Sequence, residues 1–248
     1  MPRHVTIEER GEVALVRVDR PPANAMDHEL LEDGHAVVDE LRTAEPGAVV
    51  VTGREGFFSA GVDLKYAPTL DAAGQREMVA GINRLFHSWY SLPRPVVCAV
   101  NGHAIGGGLI LALCGDYRVG GGEGRLGLTE LRAGIPYPVA AMAVVRAELT
   151  PAAVRILALG AELVDQRRAL ELDLLDEVVE PGALLERALE VATAYAALPR
   201  VAYARVKEQV RGEAATALAR VLDAGADPML SGWLGEESAA ASSAILGG

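Results

Sequence analysis

The sequence is short of cysteine, of basic charge and of long apolar runs, and each shortage excludes a class of protein. Its 248 residues include two cysteines, Cys98 and Cys114, whose apolar surroundings predict reduced core residues rather than a disulfide framework. The formal net charge of −11 argues against a nucleic-acid partner, which needs a basic face. No apolar run reaches the ~18 residues of a membrane span, and residues 1–4 lack the apolar segment of a signal peptide, so we expect a cytoplasmic protein without a membrane partner.

The histidines do not follow a metal-binding pattern. His28 and His35 fall on one predicted helix but two turns apart, too far to chelate one ion, and no cysteine cluster lies near them. A Gly-x-Ser-x-Gly nucleophile motif is missing as well. We therefore expect neither a bound metal nor a serine nucleophile of that type.

Apolar periodicity predicts an α/β protein with a helical C-terminal part. Hydrophobic residues make up 50% of the chain, enough for one sizeable core. Strands and helices alternate at first: a hairpin near 4–19, helices near 28–43 and 72–91, strands at 48–52 and 95–100, and a helix from about 107. This alternation indicates repeated ββα units with a parallel sheet. Helical periodicity then predicts helices at 151–160, 165–172, 182–197, 200–211 and 214–224, before a tail of small residues that we expect to fray.

The most informative run extends from Asn101 to Gly108, with the sequence Asn-Gly-His-Ala-Ile-Gly-Gly-Gly. It lies between the apolar stretches 94–100 and 109–114, which predicts a strand, a glycine loop and the first turn of a helix. Each glycine costs about 1 kcal/mol relative to alanine in a helix, so three together favour a close approach to the backbone. Because the first N–H groups of a helix have no intrahelical acceptor, the loop indicates an anion or oxyanion site.

A second glycine-rich turn, residues 53–56, follows the strand at 48–52 and leads into more small residues. Two strand-end loops with exposed amides can converge into an oxyanion hole. Such a hole needs about two donors at ~2.7–3.1 Å from the developing negative oxygen, and losing one costs roughly 2.7–4 kcal/mol. The alternative is that both loops are ordinary turns whose glycines provide tight geometry.

Three segments, 58–65 (Phe-Ser-Ala-Gly-Val-Asp-Leu-Lys), 95–108 and 114–119 (Cys-Gly-Asp-Tyr-Arg-Val), resemble in order and spacing the crotonase superfamily of enoyl-CoA hydratases and isomerases. The resemblance implies an α/β fold with a ββα superhelix core and active site over residues 1–195. It also implies a helical oligomerisation region over residues 196–248, assembled as a homotrimer or a dimer of trimers. The implied substrate is an acyl-CoA thioester, and no separate cofactor is expected because coenzyme A is part of the substrate.

The resemblance carries roles to individual positions. The backbone N–H groups of Val62 and Gly107 would hold the thioester oxygen and stabilise its enolate, and Lys65, with Arg54, would lie near the CoA phosphates. The positions expected to contact substrate are Ala23, Ala25, Ala60, Asp63, Leu64, Lys65, His103, Ile105, Gly106, Ile110, Thr129 and Tyr137. For Lys65, His103 and Tyr137 the alternatives are a solvated lysine, a locally hydrogen-bonded histidine and a packing tyrosine.

In this family, the residues at the acid and base positions distinguish one reaction from another. Hydratases use two glutamates to hold one water, and the first of these positions is Ile110 here, which cannot exchange a proton. The second is Glu130, between Leu128 and Leu131, where apolar surroundings raise a carboxyl pKa toward neutrality. Pro136 comes one residue earlier than in the usual family pattern and bulky apolar residues follow it, so a chain-length preference cannot be inherited.

A single glutamate favours proton transfer over the addition of water. The first interpretation is therefore enoyl-CoA double-bond isomerisation, with Glu130 as the catalytic group that moves a proton between carbons 2 and 4. One alternative is hydration, with Glu130 alone activating water. The other is a non-catalytic acyl-CoA binding protein, which the isoleucine at position 110 keeps open.

Overall fold

Residues 2–247 are described by the computed structural model, and they build an α/β fold from twelve strands and nine helices. The strands are β1 Val5–Arg10, β2 Val13–Val18, β3 Ala25–Met26, β4 Ala48–Thr52, β5 Gly56–Ser59, β6 Gly61–Val62, β7 Val96–Val100, β8 Gly102–Ile105, β9 Tyr117–Gly121, β10 Arg125–Gly127, β11 Leu163–Asp165 and β12 Glu177–Val179. The helices are α1 His28–Ala44, α2 Ala72–Tyr90, α3 Gly107–Leu113, α4 Val139–Glu148, α5 Pro151–Val154, α6 Gln166–Glu171, α7 Leu184–Ala196, α8 Arg200–Ala224 and α9 Glu236–Gly247. The predicted fold class is confirmed.

The larger sheet has six strands in the order β1-β2-β4-β7-β9-β12, parallel throughout except for β1. Its central strands β4 and β7 are buried at every residue, as expected for a parallel sheet covered on both faces. Helix α7 covers one face through its buried Leu184, Ala188 and Val191. The other face joins the main core, which includes residues of α1, α2 and α3.

The other strands form two smaller sheets: a four-stranded sheet in the order β11-β10-β8-β5, and the short parallel pair β3-β6. In the sequence, their strands alternate with those of the larger sheet. Three times the chain leaves the larger sheet and adds a strand to the four-stranded one, from β4 into β5, from β7 into β8 and from β9 into β10. Asn101, between β7 and β8, connects the first two of these crossings, because its side-chain oxygen accepts from the Gly53 N–H at 3.0 Å and its amide donates to the Arg54 carbonyl. The two glycine turns of the sequence are therefore neighbours in space.

Two sequence-based expectations for the C-terminal part are wrong. The helices predicted at 200–211 and 214–224 form one continuous helix, α8. A single Gly212 costs only about 1 kcal/mol in a helix, and buried Arg211 holds this stretch by donating to the Cys114 and Gly115 carbonyls at 2.9 and 2.8 Å. As far as Gly247 the tail is helical rather than frayed: α9 begins at Glu236, and the Ser238 hydroxyl donates to the Gly134 carbonyl at 2.6 Å.

The proposed boundary between residues 195 and 196 lies at the end of α7. The helical region beyond it contributes Leu218 and Trp233 to the main core, so both regions share one core. Cys98 and Cys114 are buried free thiols, and burial raises both pKa values. Among the helices of residues 2–247, none has the length and apolarity of a membrane-crossing segment.

Candidate active site

The three glycines at the start of α3 have different neighbours, and the contacts around two of them leave no room for a side chain. Gly106 has a φ of +55°, and a Cβ there would lie 2.7 Å from Oε1 of Glu130. A Cβ on Gly108 would lie 2.1 Å from the carbonyl oxygen of Ser59, which is backbone and cannot move aside. A Cβ on Gly107 would be tight only against the flexible Met26 side chain, at 3.1 Å, and would be in ordinary contact with Gly61 and Phe86 at 3.6 Å. The N–H of Gly107, in the first residue of α3, has no intrahelical acceptor.

The second predicted amide, that of Val62, lies on β6 against the start of α3. Val62 pairs with Met26 of β3, and Met26 accepts from the N–H of the next residue, Asp63, at 2.9 Å. In a parallel ladder this pattern directs the N–H of Val62 away from β3. Gly61 touches the helix start, since a Cβ on it would lie 2.9 Å from the Gly107 nitrogen. The two backbone segments that carry the predicted oxyanion donors are thus in contact.

A cavity of about 300 Å³ opens beside these segments and is called the outer cavity. Seven of the predicted site residues line it: Ala60, Val62, Leu64, Ile105, Gly106, Thr129 and Glu130. The sequence did not indicate the others, which are Arg132, Ala133, Ile135 and Leu163. The outer cavity therefore lies between the glycine loop at Ile105 and Gly106, the segment from Ala60 to Leu64 that follows the second glycine turn, and the segment that carries the candidate base.

A much smaller inner cavity, of about 20 Å³, adjoins the outer one at Val62, Glu130 and Ile135, which line both. Its volume suits about one water molecule. It is lined by Met26, Val62, Ile82, Phe86, Gly107, Ile110, Glu130, Ile135, Pro136, Tyr137, Pro138, Ala141 and Trp233. Apart from Glu130, Tyr137 and the indole N–H of Trp233, these side chains are apolar, so the inner cavity is a nearly dry compartment.

Glu130 lies where the two cavities meet. It begins a short 3₁₀ turn, Glu130–Ala133, and the Tyr137 hydroxyl donates to its Oε2 at 2.8 Å. Burial raises its pKa to about 7, against the opposing effect of the Tyr137 hydrogen bond and its own backbone. A carboxyl group with a pKa near neutrality can both accept and donate a proton at physiological pH.

Ile110, the position at which the resemblance implies the first glutamate of a hydratase, lies on the wall of the inner cavity. It lies one turn into α3, where its N–H donates to the Gly106 carbonyl at 3.1 Å, and its side chain is 1% exposed. Among residues 2–247, Glu130 is the one carboxylate that lines either cavity. The site therefore offers a single proton carrier.

Five predicted substrate contacts, Ala23, Ala25, Asp63, Lys65 and His103, line neither cavity, and their roles stay predictions. The Asp63 carboxylate accepts from the backbone N–H of Lys65 at 3.0 Å and forms an ion pair with an arginine. Lys65 itself is exposed. His103 has local partners, a stacked Phe57 ring with a centroid 4.9 Å away and the backbone N–H of residue 125.

Arg54, the second expected partner of the CoA phosphates, is already engaged: its guanidinium pairs with Asp19 at 3.1 Å and donates to the Pro22 carbonyl at 2.6 Å. Arg132, which was not predicted, is exposed at the outer cavity. Its position in the sequence, two residues after Glu130, could have indicated that it lies near the site. Among the five histidines, none joins a metal-binding cluster in the part of the chain that the structure describes.

Comparison with known proteins agrees with this geometry. The family model described as enoyl-CoA hydratase/isomerase matches residues 8–236. A putative enoyl-CoA hydratase of Thermus thermophilus is 38% identical over 190 residues, which is 74% of each chain.

Two solved structures show the same fold. The crystal structure of a probable enoyl-CoA hydratase from Mycobacterium tuberculosis superposes with a TM-score of 0.85 at 30% identity, covering 90% of this chain and 95% of that one. The crystal structure of human mitochondrial Δ3-Δ2-enoyl-CoA isomerase superposes with a TM-score of 0.91 at 26% identity, covering 99% and 97%. With its two glycine turns, its buried glutamate and these relatives, the chain belongs to the enoyl-CoA hydratase/isomerase family, the crotonases, and is an acyl-CoA enzyme of that family.

Proposed function

We propose that this enzyme isomerises 3-enoyl-CoA to 2-enoyl-CoA, with Glu130 as its single proton carrier. The observation that carries the proposal is the pairing of Glu130 with Ile110 across the inner cavity. A hydratase of this family places a carboxylate at both positions, whereas here one of the two is an isoleucine that is 1% exposed. Isomerisation needs one group that takes a proton and returns it.

The backbone amides of Val62 and Gly107 hold the thioester oxygen of the substrate in this proposal. Glu130 removes a proton from carbon 2, and the C2–H electrons move into an enolate whose oxygen the two amides stabilise. The double bond shifts from carbons 3 and 4 to carbons 2 and 3 as Glu130 returns the proton to carbon 4. Each amide donor is worth roughly 2.7–4 kcal/mol of transition-state stabilisation.

The two cavities divide the substrate between them. The outer cavity, with Ala60 and Leu64 on its wall, takes the pantetheine arm, and the CoA phosphates lie outside it toward exposed Lys65. The reacting carbons lie beside Glu130, where the two cavities meet, and the inner cavity, with space for about one water, receives only the end of the acyl chain. No cofactor takes part, because coenzyme A arrives as part of the substrate, and the enzyme assembles as a homotrimer or a dimer of trimers.

Hydration is the second candidate. Its support is the Tyr137 hydroxyl, 2.8 Å from Glu130, which gives the inner cavity a second polar group beside the space for one water. The Thermus thermophilus relative also carries the name of a putative hydratase. Against it, Tyr137 already donates its proton to Glu130, which leaves its oxygen only as an acceptor for the water.

The test is to incubate the enzyme with 3-enoyl-CoA and 2-enoyl-CoA in deuterated water and identify the products by mass. We expect 2-enoyl-CoA from the first substrate at a rate far above the formation of 3-hydroxyacyl-CoA from the second. Glu130→Gln should lower isomerisation by about 10²–10⁴-fold. Glu123→Gln, at an exposed glutamate seven residues away, is the matched control and should change nothing. Predominant 3-hydroxyacyl-CoA would overturn the proposal in favour of hydration, and tight CoA-ester binding without turnover would leave only a binding protein.

A further inference from the structure

The C-terminal segment, residues 226–247, returns to the active site after the long helix α8. Asp227 fixes its beginning, since its carboxylate accepts from the Asn83 side-chain amide at 2.7 Å and from the Val139 N–H at 2.8 Å. Asn83 belongs to α2 and Val139 to α4, so one buried carboxylate ties the segment to two helices of the core. Farther along the segment, Ser238 donates its hydroxyl to the Gly134 carbonyl at 2.6 Å and so fixes the first turn of α9.

Between these anchors, Trp233 points into the core and completes the wall of the inner cavity. It is 3% exposed, and its indole N–H donates to the Pro136 carbonyl at 2.9 Å. The next residue, Leu234, donates its backbone N–H to the Gln75 side chain at 3.1 Å. The tryptophan is thus held from both sides and cannot swing out without breaking these contacts.

The inner cavity is almost filled by the side chains around it. Trp233, Phe86, Ile82 and Ile110 are all buried, and the space left, about 20 Å³, is that of one water. Close-packed protein interiors do not compress to admit extra methylenes. An acyl chain that enters at Glu130 therefore meets a closed end soon after its reacting carbons.

From this geometry we infer that the enzyme selects short acyl chains and that Trp233 is the specificity-determining residue that ends the acyl pocket. The inference rests on the proposed function, because that function places the end of the acyl chain in the inner cavity. The substrates it favours are those with the shortest acyl chains, since each further methylene would have to displace an aromatic wall. Trp233 acts on chain length and takes no part in proton transfer.

The experiment measures both binding and turnover against chain length. Saturated butyryl-CoA and decanoyl-CoA are titrated by calorimetry, and 3-enoyl-CoA substrates of the same two lengths are assayed for isomerisation. The wild type should bind and turn over the short ligand at least tenfold better. In Trp233→Ala this preference should fall by at least tenfold, because one methylene in an apolar pocket is worth roughly 10–200-fold. Trp233→Phe, which keeps most of the wall but loses the hydrogen bond, should keep the preference.

The second tryptophan of the chain, Trp89, supplies the matched control. It is also 3% exposed but lines a different cavity and not the inner one, so Trp89→Ala should lower stability without changing the preference. A wild type that prefers the ten-carbon ligand, or a folded Trp233→Ala variant with unchanged preference, would overturn the inference. Absence of turnover with every substrate would overturn the proposed function instead, and the binding preference would still decide the role of Trp233.

Discussion

At the level of single residues, the balance between burial and one hydrogen bond sets the proton affinity of Glu130. Burial raises its pKa to about 7, and the donated hydrogen bond from Tyr137 opposes that rise by stabilising the ionised form. Tyr137→Phe should therefore raise the pKa further. A hydrogen bond to a charged group is worth ~1.5–3 kcal/mol, so the shift should be about one pH unit or more.

The direction of the expected change in the pH profile follows from the proposed role of Glu130 as a base. The ionised carboxylate reacts, so kcat/KM rises with pH through the pKa of the free enzyme. In Tyr137→Phe this rising limb should move to higher pH, with a large loss of activity at pH 6 and a small one at pH 9. Tyr66→Phe, which removes a hydroxyl bonded to His28 outside both cavities, is the control. An unchanged profile in Tyr137→Phe would show that the tyrosine only packs.

Ile110 provides the second residue-scale prediction. Ile110→Glu should raise the ratio of hydration to isomerisation by at least about tenfold, because a second carboxylate can hold and activate the water that Glu130 shares. The cost is the desolvation of a carboxyl in an apolar cavity. Ile110→Gln is the matched comparison, since an amide can hold water but cannot exchange a proton. The two products are followed by mass, and an unchanged ratio in a folded Ile110→Glu variant contradicts the prediction.

The sequence motifs identified the site residues near the glycine loops, but they did not identify the residues that complete the wall of the inner cavity. Val62, Gly107, Ile110 and Glu130 follow from a motif, and the structure places all four around the inner cavity. Trp233 could not be found this way, because its contact with Pro136 joins positions almost one hundred residues apart in the chain. Such a contact depends on how the C-terminal segment packs, which no local pattern encodes.

At the level of elements, the start of α3 beside β6 holds both Gly107, the proposed oxyanion donor, and Gly108, which packs against the backbone of Ser59. In Gly107→Val the new Cβ lies 3.1 Å from the sulfur of the flexible Met26 and in ordinary contact, 3.6 Å, with Gly61 and Phe86, so the fold should survive while the oxyanion site is filled. Turnover should fall by at least ~10²-fold, the loss expected for one oxyanion donor. In Gly108→Ala a Cβ would lie 2.1 Å from the Ser59 carbonyl, so this variant should lose stability.

The measurements are thermal unfolding and isomerase activity on both variants. The expected pattern is a melting temperature close to wild type with little activity for Gly107→Val, and a clearly lowered melting temperature for Gly108→Ala. Normal turnover by Gly107→Val would show that the Gly107 amide is not an oxyanion donor. Equal destabilisation of both variants would show that the two glycines serve packing alone.

Elements with strong periodicity and clear ends were predicted well, whereas helix boundaries in the C-terminal part were not. Helix α1 begins where predicted because Asp27 caps it by accepting from the Leu30 N–H at 2.9 Å. The break expected near residue 212 does not occur, because tertiary contacts of Lys207 and Arg211 hold α8 against the turn after α3. The low helix propensity of one glycine destabilises the helix less than the hydrogen bonds of these two buried cations to carbonyl and carboxylate oxygens stabilise it.

At the level of the whole molecule, the exposed side of α8 carries aliphatic residues that favour assembly with other copies of the chain. Val206 and Val210, one helical turn apart, are 54% and 78% exposed, and Val201 near the helix start is 72% exposed. Adjacent aliphatic side chains left in water are typical of a surface that another copy covers. This surface and the family both favour assembly through the C-terminal helical region.

The solution mass should therefore be three times, or six times, the 26.0 kDa of the chain. Light scattering at micromolar concentration measures it directly. Replacing Val206 and Val210 together by lysine should shift the mass toward the monomer, because six or more like charges would then meet across a covered interface. Val178→Lys, at an aliphatic residue on the edge strand β12 that is 38% exposed, should leave the mass unchanged. A wild type that is strictly monomeric contradicts the prediction, and an oligomer untouched by the double substitution places the interface on another face of the molecule.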